Sequence, residues 1–383
     1  MNFRSFALLA AIVLGSAATD SAAQKSFQTH PGTPDKPYVP LKKCWEYTFE
    51  SPGRASVSAE NGSVFVAENG GSIRSLNSRT SSVNWITELG GGSSEIAAVP
   101  TLGVAVVTSR VPHSALSGAI LRLLSAESGL VKYSTSFPAA GDLHLVSVGS
   151  RLIVVDQNGE INAFDASTGE RFWKLNLSGK VTSPAVVSGD VLAAATDDKK
   201  ITVISVNDGK ILSTISVETI VTAMAIDENS VIVAGDERGL VRSYRGGSAY
   251  VIWSFKSGGR VGTVSITPQG ILVGSFDNFL YLLSNYSGDV KWKRRLDGRI
   301  SSRPVLYQGT VMAASSTDEE AQVLDLANGK PVDRVPFGKE RYMISEPVLA
   351  DRNIAIFTLV DSIAAYSPAR CVENEKSGSA AAR

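Results

Sequence analysis

From residue 180 to 216 the chain alternates short apolar runs with polar turns: KVTSPAVV, the turn SGD, VLAAAT, the turn DDK, KITVISV, the turn NDG, and KILSTIS. The runs are rich in Val, Ile and Thr and are closed by Gly, Asp and Asn, which is how short β-strands joined by tight turns read. No window carries the three-to-four-residue apolar spacing of an amphipathic helix. The unit therefore predicts four strands and no helix.

The same unit recurs along the chain. Its clearest tag is AFDASTGERFW, Ala163 to Trp173, in which an aromatic follows a turn glycine by four residues. Aligning on that offset places equivalent positions at Trp45, Trp85, Tyr133, Trp173, Ser213, Trp253, Trp292 and Asp333, with intervals of 40, 48, 40, 40, 40, 39 and 41 residues. A four-stranded unit with a period of about forty residues is the mark of a β-propeller blade. A β-solenoid or a sandwich array is the alternative, but neither normally repeats at this length. Eight tags predict an all-β, eight-bladed propeller of four-stranded antiparallel blades.

The order of strands also predicts how the ring closes. Trp45 lies in a run resembling a fourth, outermost strand with no earlier strands before it, whereas YMISEPVLA, NIAIFTL and DSIAAYS near the C-terminus supply three strands without a fourth. The last blade is thus expected to be completed by the N-terminal strand, which leaves no open sheet edge at the join. Cys44 and Cys371, the two cysteines, flank that shared blade. In an oxidising compartment this placement favours a disulfide, with two unpaired thiols as the alternative.

Composition changes the picture in two ways. Lys and Arg number 37 against 37 Asp and Glu, so the formal charge is zero, which excludes the broad basic field of a non-specific nucleic-acid binder. At the N-terminus, Arg4, the apolar run from Phe6 to Leu14 and the small residues Ser21-Ala22-Ala23 read as an export signal over residues 1–23, too short to span a bilayer. Residues 24–43 read as an extended leader, 44–371 as the propeller and 372–383 as a disordered tail. The expected location is extracytoplasmic, with no transmembrane segment.

Chemistry-bearing constellations are sparse. The histidines His30, His113 and His144 show no metal-ligand spacing, and no HExxH, CxxC, GxSxG, P-loop or dinucleotide fingerprint occurs. No catalytic residue, cofactor-binding residue or metal ligand is therefore assigned.

The tag resembles the tryptophan-docking repeat of the pyrroloquinoline-quinone-type propellers, with Asp165, Thr168, Gly169 and Trp173 matching it residue by residue and Gly288 with Trp292 in part. In that repeat the tryptophan packs between neighbouring blades. Quinoprotein dehydrogenases of the superfamily carry an adjacent Cys-Cys pair, which this sequence lacks. Size, export signal and blade number are closer to the BamB-type components of the outer-membrane protein assembly machinery. That resemblance implies a non-catalytic exported scaffold without cofactor, monomeric by itself, periplasmic or peripheral to the outer membrane, and binding a protein partner. A quinone-dependent dehydrogenase and a ligand-sensing propeller are the alternatives. Members of the BamB type are often lipoproteins, and no cysteine stands near the cleavage site here.

The turns between strands two and three and the loops between blades are expected to share one face. The inter-blade loops carry a basic residue after glycine at Arg54, Lys180, Arg260 and Arg299, which predicts a basic ring around the central channel. The two-to-three turns are acidic or amide-rich, at positions such as Asp197, Asp236, Asp277 and Asp318, which predicts an acidic outer rim. The single long interval adds a partly apolar loop to that face, containing Pro112, His113 and Leu116.

Overall fold

The computed structural model describes residues 40–50, 55–92, 94–109, 118–350 and 353–368. Their strands form eight four-stranded antiparallel sheets, and the described residues contain no helix. Seven blades are continuous in sequence: residues 56–88, 94–137, 143–176, 186–216, 221–256, 261–295 and 305–336 form blades 1 to 7.

Burial explains the sequence pattern within each blade. In blade 4, the second and third strands, Val191–Thr196 and Lys200–Ser205, are buried along nearly their whole length, because a neighbouring blade covers each face of the sheet. They accordingly read as continuous apolar runs. The outermost strand, Ile211–Ser216, alternates between exposed and covered positions. Buried side chains gather into eight clusters, each spanning the seam between adjacent blades. Phe65, Trp85, Val106 and Leu124 join blades 1 and 2, for instance. The core is thus a ring of seams around an axis, which lets one fold extend past the size at which a single compact core stops growing.

Blade 8 is built from both ends of the chain. Lys42–Thr48 pairs antiparallel with Ser362–Ser367, from Lys42 opposite Ser367 to Thr48 opposite Ser362, with a register shift at Cys44. Ile354–Thr358 and Val348–Ala350 complete the sheet towards the axis. Arg341 fastens the join, pairing with Glu46 on the N-terminal strand and with Asp361 at 2.9 Å.

Candidate functional site

The tag positions all fall on outermost strands, and a one-residue bulge sets their direction. In blade 3, Trp173 pairs with Ala163, but the next pair is Arg171 with Phe164, which leaves Phe172 bulged. Such a bulge increases the local twist and re-aims the side chain beside it. Trp173 turns onto blade 4, where its Nε1–H donates to the Val206 carbonyl at 2.8 Å. The same bond runs from Trp45 to Ser78 O at 2.9 Å, from Trp85 to Ala126 O at 2.8 Å and from Trp253 to Asn285 O at 2.8 Å. Trp292 reaches Leu326 O at 2.9 Å, and the Tyr133 hydroxyl donates to Ala166 O at 3.0 Å. Burial of Tyr133 pushes its phenol up to about 12, so it remains a donor at any ordinary pH.

Each acceptor lies in the turn between strands three and four of the next blade, and in every such turn but that of Ser78 a glycine makes room for the ring. A Cβ on Gly169 would lie 2.5 Å from the Tyr133 ring, and one on Gly288 would lie 2.6 Å from Trp253. Asp165 shapes the turn by accepting from the Ser167 hydroxyl and from the backbone N–H of Ser167 at 2.8 Å and of Thr168 at 3.0 Å, and these bonds, the hydroxyl's first, hold its carboxyl below the usual range. Two seams depart from the pattern. Asp333 of blade 7 accepts from the Leu41 N–H at 2.9 Å, just ahead of the closing strand. Ser213 of blade 4 faces Gly247, and its buried Oγ has no hydrogen-bond partner among the described residues.

The inter-blade loops and the two-to-three turns do share a face, because they bond to one another. Lys180 N–H donates to Asp197 Oδ1 at 2.9 Å, Phe276 N–H to Arg260 O at 2.8 Å and Ser316 N–H to Arg299 O at 3.0 Å. Lys180, Arg260 and Arg299 are exposed on it. Arg54, Pro112, His113, Leu116 and Cys371 lie outside the described residues.

The acidic rim takes a different form from the one expected. Asp236 and Asp318 are buried, and their carboxylates accept from turn backbone, Asp236 from Arg238 and Leu240, Asp318 from Ser315. Asp277 is held by Gly258 N–H at 2.7 Å, Phe279 N–H at 3.0 Å and the Tyr281 hydroxyl at 2.7 Å. These carboxylates satisfy amides that the tight turns would otherwise leave unpaired. Asp197, Glu237 and Glu319 remain exposed.

Phe276, at the end of the second strand of blade 6, went unmarked in the sequence, where it reads as one more apolar strand residue. It lies between two of the marked cations: the Arg260 guanidinium is 5.4 Å from its ring centroid and that of Arg299 is 5.6 Å away. Neither arginine has an ion-pair partner among the described residues, in contrast to Arg74, Arg242, Arg334 and Arg341. On the innermost strand of blade 3, His144 is held below its ordinary pKa by burial, with the Arg303 charge adding to the effect. Among the described residues no cluster of three or more His, Cys, Asp or Glu is placed to hold a metal ion.

Six of the eight seams are stapled by an aromatic, five of them against a turn glycine, and the ring is a β-propeller whose repeats resemble the pyrroloquinoline-quinone type. Within that class the chain resembles the outer membrane protein assembly factor BamB, whose family model matches residues 157–267 and 237–333. BamB of Burkholderia pseudomallei (strain K96243) is 24% identical over 357 residues, covering 79% of this chain and 93% of that protein. The crystal structure of BamB from Moraxella catarrhalis superposes with a TM-score of 0.65 at 12% identity, over 85% of this chain and 97% of that one. The C-terminal WD40 domain of Sif2 gives 0.70 at 12% identity, over 86% and 99%. At such identities the structural matches speak for the fold.

Proposed function

We propose that this protein is an exported, non-catalytic scaffold that holds a protein partner during outer-membrane protein assembly. The observation that carries the reading is the sequence likeness to the assembly factor BamB across 79% of the chain. A ring stapled at its seams suits a scaffold, since it presents loops at fixed spacing with little ordering cost on binding. No helix among the described residues is long and apolar enough to cross a membrane. In this reading residues 1–23 direct export, 24–43 form a leader, 44–371 the ring and 372–383 a tail, and a Cys44–Cys371 bridge ties the shared blade. The exposed Lys180, Arg260 and Arg299, with Arg54 and the loop containing Pro112, His113 and Leu116, form the partner face.

Cross-linking with mass spectrometry on the native envelope tests the proposal. The expected result is repeated cross-links from residues of that face to one outer-membrane assembly component. Cross-links scattered over abundant envelope proteins would overturn it.

A further inference from the structure

We infer that Arg260, Phe276 and Arg299 form a clamp that takes the carboxylates of an Asp/Glu-rich segment of a protein partner. The inference rests on the scaffold reading and names the chemistry of the partner. Both arginines are anchored at the backbone, since each carbonyl accepts a backbone N–H from a two-to-three turn, that of Phe276 for Arg260 and that of Ser316 for Arg299. Each guanidinium lies over the same ring, 5.4 and 5.6 Å from its centroid, without an ion-pair partner among the described residues, and a guanidinium fork engages a carboxylate with two parallel bonds. The acidic group closest in sequence to the ring, Asp277, already serves three donors of the protein.

The surroundings extend the positive charge. Residues 257–300 hold six basic residues against three acidic ones, a balance of plus three within a chain whose total is zero. Lys293, Arg294 and Arg295 run along the outermost strand of blade 6 towards the loop that carries Arg299, and none of them has an ion pair among the described residues. Lys293 instead rests over Phe279, with its Nζ 5.1 Å from the ring centroid. Several basic side chains elsewhere in the ring are matched locally, as Lys174 is by Glu160 at 2.8 Å and Arg334 by Glu320 at 2.7 Å. A patch confined to one blade and its following loop, with an aromatic at its centre, fits a short acidic segment. Nucleic acid or a membrane surface would require a broader basic field than a neutral chain presents.

The test titrates the whole mature protein against a fluorescein-labelled alternating Glu-Ala peptide, read by anisotropy. Binding that weakens with salt is expected. The Arg260→Ala/Arg299→Ala double variant should lose about tenfold in affinity, Phe276→Leu a smaller factor, and an alternating Lys-Ala peptide should not bind. Thermal denaturation of the double variant should match wild type, because both arginine side chains are exposed. Failure of the wild type to bind the acidic peptide, or equal binding by the double variant, would overturn the inference. So would inorganic phosphate or phosphatidylglycerol vesicles binding with the same dependence on the clamp. The two readings fail separately: a double variant that still cross-links to the assembly component at wild-type yield removes the clamp but keeps the scaffold. A wild type that binds the peptide yet cross-links to no assembly component removes the scaffold instead.

Discussion

Trp173 and Gly209 meet across the seam between blades 3 and 4, where a Cβ on the glycine would lie 2.7 Å from the indole ring. The glycine adopts a φ of +71°, so the position excludes a side chain on two counts. These two effects can be separated by experiment. Gly209→Ala should cost about 1–2 kcal/mol for the left-handed backbone and a further 1–3 kcal/mol for the displaced ring. Gly189, at φ +54° with nothing within 4 Å of its Cβ direction, carries only the first term. Denaturant midpoints of the two variants should therefore differ clearly, and equal losses would mean that the ring does not depend on the glycine.

The hydrogen bond of the staple predicts opposite signs at two seams. Trp292→Phe keeps most of the ring but leaves the Leu326 carbonyl without its donor, at a cost of about 1–3 kcal/mol. At the seam between blades 4 and 5 there is no such bond to lose. The Ser213 Oγ is buried without a partner among the described residues, so Ser213→Ala should be neutral or stabilising by up to about 1 kcal/mol. Chemical denaturation monitored by fluorescence reads both, and a destabilised Ser213→Ala would show that the hydroxyl has an unseen partner.

The staples explain why so much of the fold was legible. Gly169 and Trp173 serve two different seams, the glycine receiving Tyr133 and the tryptophan entering blade 4, so a blade that takes part in both keeps them at a fixed offset, as Gly288 and Trp292 also do. That constraint wrote the period into the sequence. The site was less legible because function there depends on pairs far apart in the chain. Phe276 and Arg299 are separated by the whole outer half of blade 6, and nothing local distinguishes this Phe from a core residue. Asp236 is expected on an acidic outer rim, yet it is buried against its own turn. The recurrence of Asp one or two residues past the apolar run, in AGDER and GSFDN, is the signal that marks such caps.

Acid should loosen the closure. Burial alone would raise the Glu46 pKa, but Lys43 and Arg341 outweigh it, so the carboxyl is held below its ordinary value of 4.5. A group lowered on folding adds stability that is present above its unfolded pKa and is lost as pH falls through the folded one. Glu46→Gln should thus cost about 1 kcal/mol near neutral pH, and the difference from wild type should vanish as the pH drops below that ordinary value. Thermal denaturation of the pair across that range measures it. A gap that stayed constant with pH would show that Glu46 contributes packing rather than charge.

The proposed Cys44–Cys371 bridge makes the last prediction, and it concerns the unfolded chain more than the folded one. No free cysteine occurs among the described residues, and Cys44 stands at the register shift of the closing strand. A bridge from 44 to 371 would close a loop of 371 minus 44, or 327 residues. Closing so long a loop removes more entropy from the unfolded ensemble than a local crosslink does, which on the chain-entropy account stabilises by about 5 kcal/mol. Reductant should therefore lower the denaturation midpoint of the wild type substantially and leave that of a Cys44→Ala/Cys371→Ala variant unchanged. Peptide mapping under non-reducing conditions should recover the two cysteine peptides joined. Recovery of both thiols free, together with a midpoint indifferent to reductant, would mean that strand pairing and the Arg341 contacts hold the ring shut without a covalent tie.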